Sequence, residues 1–71
     1  MIQRGDVMIR GVPGGEFLVV SAVTFKTLEG PFTTFADALA TARLFVAPGG
    51  TIWHESVDDR GRPLGPPIRV V

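Results

Sequence analysis

Only one stretch of this chain spaces its apolar residues with a helical period. Phe35, Ala38, Leu39, Ala42, Phe45 and Val46 fall at i, i+3, i+4, i+7, i+10 and i+11, which is one stripe of an α-helix. The other patterned segments carry the alternation, or the Val, Phe and Thr content, of strands. One helix has one apolar stripe and covers one face of a sheet, so the remaining face must find its own solution. The expected fold is α+β and two-layered, an antiparallel four-stranded sheet with one helix on one face, in the order β-β-α-β-β.

The boundaries follow from turn chemistry. Val7 and Ile9 alternate with Asp6, Met8 and Arg10 inside Ile2 to Val12, a first strand. Val12-Pro13-Gly14-Gly15 reads as a type II turn, with proline setting one corner and Gly14 supplying positive φ at the next. Strands one and two are expected to form a hairpin, the second running from Glu16 to Lys26 and stopping at a break, Leu28-Glu29-Gly30-Pro31. Thr33 or Thr34 is the expected N-cap, and Thr34 with Asp37 resembles a capping box with Asp in the Glu position. Pro48-Gly49-Gly50 ends the helix. Thr51 to Val57 is a third strand. Ile68 to Val71 is a fourth, kept short and at an edge by Pro66-Pro67. No internal repeat or low-complexity segment is present, and 71 residues supply material for a single domain, 1–71.

A core of this size rarely yields more than about 3–5 kcal/mol, and small domains are commonly reinforced by disulfides, a metal or a partner subunit. With no cysteine, disulfides and thiolate metal sites are excluded, which also fits a reducing cytoplasm. A partner subunit remains. Seven Lys and Arg balance seven Asp and Glu, so no global field draws nucleic acid or an anionic membrane surface. The longest nearly apolar run, Phe17 to Phe25, holds Ser21 and Thr24 and falls far short of the ~20 residues of a membrane span. Arg4, Asp6 and Arg10 leave no room for the apolar segment of a signal peptide. A soluble cytoplasmic protein is expected.

The residues that could carry chemistry are few. His54 is the sole histidine and lies between Trp53 and Glu55, but adjacent strand residues point to opposite faces, so Glu55 is badly placed to orient it. Ser21 and Ser56 sit inside strands rather than on the strained turns that expose a nucleophile. Asp58-Asp59 lacks the ligand spacing of a calcium loop and reads as a solvated turn. The glycine clusters Gly11 to Gly15 and Gly49-Gly50 lack the context of a phosphate cradle. No catalytic residue, metal ligand or cofactor is expected, and the chain is read as a non-enzyme. Arg60, Arg62 and Arg69, with Trp53 to stack a base, make a weak nucleic-acid contact conceivable, but Glu55, Asp58 and Asp59 cancel most of that field.

Phe32-Thr33, Ala38, Ala42-Arg43, Ile52-Trp53-His54 and Asp59-Arg60-Gly61-Arg62 occur in an order that resembles a group of short uncharacterised bacterial β-β-α-β-β proteins, a domain of unknown function. The resemblance spans Glu16 to Val71 and departs from the pattern in having Phe17 where Trp is usual and an Arg between the Asp and Gly of the last turn. It implies the fold and carries no activity. Phe32 to Arg43 is more loosely similar to the helix of small antitoxin-type domains, which implies binding to a partner protein or an operator.

The functional expectation rests on strand two. Phe17, Val19, Val23 and Phe25 point one way and Leu18, Val20 and Ala22 the other, so both faces are apolar. An apolar open face marks an interface or a ligand surface. The chain is expected to be a small binding or assembly module that homodimerises through Leu18, Val20, Ala22 and Trp53. The alternative is an antitoxin-like regulator that binds a partner protein or nucleic acid, with a small hydrolase third.

Overall fold

The computed structural model describes all residues, Met1 to Val71. Alternating side chains set β1 (Val7–Val12), and the proline–glycine turn returns the chain into β2 (Glu16–Ser21), the two strands pairing antiparallel from Val7↔Ser21 to Val12↔Glu16. In that turn the Gly15 N–H donates to the Val12 carbonyl at 3.3 Å, and Gly14 takes φ 99°, which is open to glycine and strained for a side chain.

Strand two ends at Ser21 rather than Lys26. The Ser21 hydroxyl accepts from Val23 N–H at 3.3 Å and Thr24 N–H at 3.2 Å, and its carbonyl accepts from Phe25 N–H at 2.9 Å. Side-chain bonds of this kind offer the backbone a local alternative to the ladder, so Val23 and Phe25 lie in a turn despite their strand propensity. The chain then forms β3 (Thr27–Phe32) across the segment expected to be a break. Pro31 is tolerated there because β3 is the sheet edge, where no ladder bond is lost for want of its N–H.

Helix α1 spans Phe35–Phe45 and is capped by the Thr34 hydroxyl, which accepts from Asp37 N–H at 3.1 Å. Beyond it the chain closes tightly: Ala47 N–H donates to the Gly5 carbonyl at 3.0 Å, and Gly50 N–H to the Ala47 carbonyl at 2.8 Å. Gly5 has φ 92°, and a Cβ there would stand 2.7 Å from Ala47 Cβ, so no other residue fits without movement.

After the helix, β4 (Ile52–Ser56) lies beside β1 and parallel to it, from Val7↔Ile52 to Gly11↔Ser56, and β5 (Ile68–Arg69) pairs antiparallel with β4. The sheet has five strands in the order β3-β2-β1-β4-β5. The two-layer α+β architecture thus holds, while the sheet is mixed and five-stranded instead of antiparallel and four-stranded. The parallel pair has a geometric cause. A helix of 11 residues is about 16 Å long, close to the ~20 Å of a six-residue strand, so it returns the chain to the starting end and the next strand runs as β1 does.

The helix packs on one face of the sheet. Val7, Ile9, Val19, Ile52, Ala38 and Ala42 form that core, with Phe17, Leu28, Phe32, Phe35, Leu39, Val46 and Val70 partly buried around it. Phe45, assigned to the same stripe by its spacing, is 43% exposed. No helix is long and apolar enough to cross a membrane.

Candidate interaction surface

Register fixes what the other face of the sheet presents. Met8 pairs with Val20 and Trp53, Arg10 with Leu18 and Glu55, and Trp53 with Arg69, so these side chains share the face away from the helix. Its apolar part is a second core: Met8, Val20 and Ala22 are buried, with Ile2, Leu18 and Trp53 packed against them. Of the four residues expected to form a self-association patch, Val20 and Ala22 are therefore covered by the chain itself. Leu18 and Trp53 keep partial exposure.

The cover at one end is the N-terminal turn, and Asp6 holds it. This carboxylate is 4% exposed. Oδ1 accepts from Thr51 N–H at 2.8 Å, and Oδ2 accepts from Gln3 N–H and from the Trp53 indole Nε1, each at 3.0 Å. The Asp6 carbonyl also receives Ala22 N–H at 3.1 Å. Burial alone would raise the Asp6 pKa. The indole, the two backbone donors and the terminal ammonium outweigh it and hold the carboxyl below its usual range. Asp6 therefore joins the N-terminus, β2 and the start of β4, and it fixes the indole of Trp53 against the face.

Toward the middle of the face lies an ion pair. Arg10 Nε and Nη2 both donate to Glu55 Oε2, at 3.2 and 3.0 Å, with the Arg10 and Glu55 side chains 19% and 5% exposed. The turn after β2 folds back so that the Phe25 ring stands 4.9 Å from the Arg10 guanidinium, a cation–π contact. Phe25 is the one non-glycine residue with positive φ, at 62°, and its side chain and that of Val23 remain about half exposed.

The remaining candidates are dispersed. His54 lies on the helix face, its ring 5.0 Å from that of Phe35 at 68°, which in turn meets Phe17 edge-on at 5.8 Å. Its Nε2 is buried with no hydrogen-bond partner, and Glu55 points to the opposite face. Arg60 and Arg62 are exposed in the last loop, where both backbone N–H groups donate to Asp58 Oδ1 at 2.9 Å. Arg69 is on β5, away from that turn and beside Trp53. No three His, Asp or Glu side chains come close enough to share a metal ion, and the surface carries no pocket.

Asp6 and Glu55 were not among the residues expected at a site, and Phe25, expected on the face opposite Leu18, instead turns back against Arg10, the register partner of Leu18. Arg10 and Glu55 meet only because β1 and β4 are neighbours in parallel, which no local pattern encodes. Trp53 carried the one available signal, since a buried indole N–H needs an acceptor. Comparison with known protein families, curated proteins and solved structures gives no match.

Proposed function

We propose that this chain is a non-catalytic binding and assembly module that homodimerises through the sheet face opposite its helix. One observation carries the reading. After the chain has covered Met8, Val20 and Ala22, that face still presents Phe25, about half exposed against Arg10, with Leu18 and Trp53 accessible. Large apolar and aromatic side chains of this kind, next to a desolvated Arg, make up the buried centres of protein interfaces.

The sheet edges support a face rather than an edge as the route of association. The β3 edge carries Glu29 and Pro31 and is bent by register shifts against β2. The β5 edge is two residues long and follows Pro66-Pro67, while the loop before it seals the rest of β4 through Leu64 N–H donating to the Ser56 carbonyl at 2.9 Å. Prolines, charges, bulges and short edge strands oppose strand-to-strand pairing.

Sedimentation equilibrium from low to high micromolar concentration tests the proposal. The expected result is a mass of two copies, reduced to one by Leu18→Glu with the circular dichroism spectrum unchanged. A parent chain that stays monomeric at high micromolar concentration overturns it.

A further inference from the structure

Resting on that reading, we infer that the dimer is isologous, centred on the Arg10–Glu55 pair and anchored by Phe25, with each copy using the half of the ion pair that the other leaves free. The pair is incompletely used within the chain. Both Arg10 donors go to the single oxygen Oε2, so Arg10 Nη1 and Glu55 Oε1 make no hydrogen bond. His54 Nε2 is the only unpartnered polar side-chain atom completely sealed from solvent, so Nη1 and Oε1 keep some exposure, within side chains that are 19% and 5% exposed. The unused donor and the unused acceptor belong to residues that face each other on neighbouring strands.

That arrangement is complementary to itself. A two-fold axis through the middle of the face brings Nη1 of one copy to Oε1 of the other, and the same contact again by symmetry, as an isologous interface requires. A singly charged partner would leave one of the two atoms facing its own sign. A second copy satisfies both and adds no net charge. β1, which carries Arg10, is the central strand of the five.

Phe25 supplies the anchor. A bulky residue with left-handed φ is a costly outlier, and such strain gathers at binding sites because the surroundings enforce it. Here the Ser21 hydroxyl bonds, and the Thr24 hydroxyl accepting from Lys26 N–H at 3.3 Å, hold the turn that stands the ring over Arg10 with half its surface open. Asn or Gly is at ease at that φ, and what Phe gains there is the contact its ring makes with Arg10.

The decisive experiment mixes two charge variants. In an Arg10→Glu copy the pair becomes two acids, and in a Glu55→Arg copy two arginines. Each should associate with itself at least tenfold more weakly than the parent, and the mixture should form a one-to-one heterodimer in sedimentation or native mass spectrometry. Random or absent pairing in the mixture overturns the reciprocal contact. Should either charge variant fail to fold, Phe25→Asn decides, because Asn suits the left-handed backbone. It should keep the parent circular dichroism spectrum while its dimer dissociates at least tenfold more readily, and an unchanged dimer overturns the inference. The parent dimer persisting in these last cases leaves association itself standing, whereas a monomeric parent removes both.

Discussion

Asp6 is where three separated parts of the chain meet, and it is the most consequential single side chain in the fold. Removing its carboxylate leaves the N–H groups of Gln3 and Thr51 and the Trp53 indole without acceptors. Asp6→Ala should cost on the order of 2–3 kcal/mol, measured by urea denaturation. The acid response follows from the sign of its shift. The folded-state pKa lies below the unfolded value of about 3.9, so the charged group stabilises the fold fully above that value, and the contribution is lost as pH falls toward the folded pKa. Melting temperature should therefore drop below about pH 4 more steeply in the parent than in Asp6→Asn; parallel curves would place the acid-sensitive group elsewhere. His54 makes the opposite case. Its buried Nε2 has no partner and sits against the edge of Phe35, so His54→Leu removes an unsatisfied polar atom. The variant should fold and be as stable as the parent or up to about 1 kcal/mol more so, and a clear loss would mean that Nε2 is hydrogen-bonded in solution.

Among the elements, the helix was the most legible, because its start, period and stop are all local. Thr34 caps it and Phe35, Ala38, Leu39, Ala42 and Val46 face the sheet. Ala38 and Ala42 are fully buried and set the close approach, while Leu39 is only partly buried at the margin. Leu39→Ala should accordingly cost about 2 kcal/mol, the lower end for such truncations, and Ala38→Leu, which forces a larger side chain between helix and sheet, should cost as much or more. Equal melting temperatures for Leu39→Ala and parent would put Leu39 outside the core. Strand β3 was illegible for a physical reason. Thr-Leu-Glu-Gly-Pro-Phe has turn composition, and it becomes a strand only because β2 offers it an edge to pair with. The reverse error, continuing β2 to Lys26, arose because Val23 and Phe25 favour strands while the hydrogen bonds of Ser21 turn the chain away.

For the whole molecule, two small cores on either side of one sheet, with no disulfide, make a marginal fold, and binding a second copy stabilises the folded state by mass action. The melting temperature of the proposed dimer should fall as the protein is diluted across the micromolar range, whereas a monomer would melt independently of concentration. The amino-acid order alone determined the number of layers, the single helix with its cap and its core-facing stripe, and the first hairpin. Each depends on residues a few positions apart, through periodicity, capping hydroxyls and turn glycines. Tertiary structure decided the parallel pairing of β1 with β4, since that depends on the length of the helix matching the strands. It decided also that Val20 and Ala22 are buried with Met8 in a second cluster packed by Ile2, Leu18 and Trp53, and that Arg10, Glu55 and Phe25 share one place on the open face. Those contacts join residues far apart in the chain, and their energy depends on which strands become neighbours, a property of the whole sheet that no short window of sequence contains.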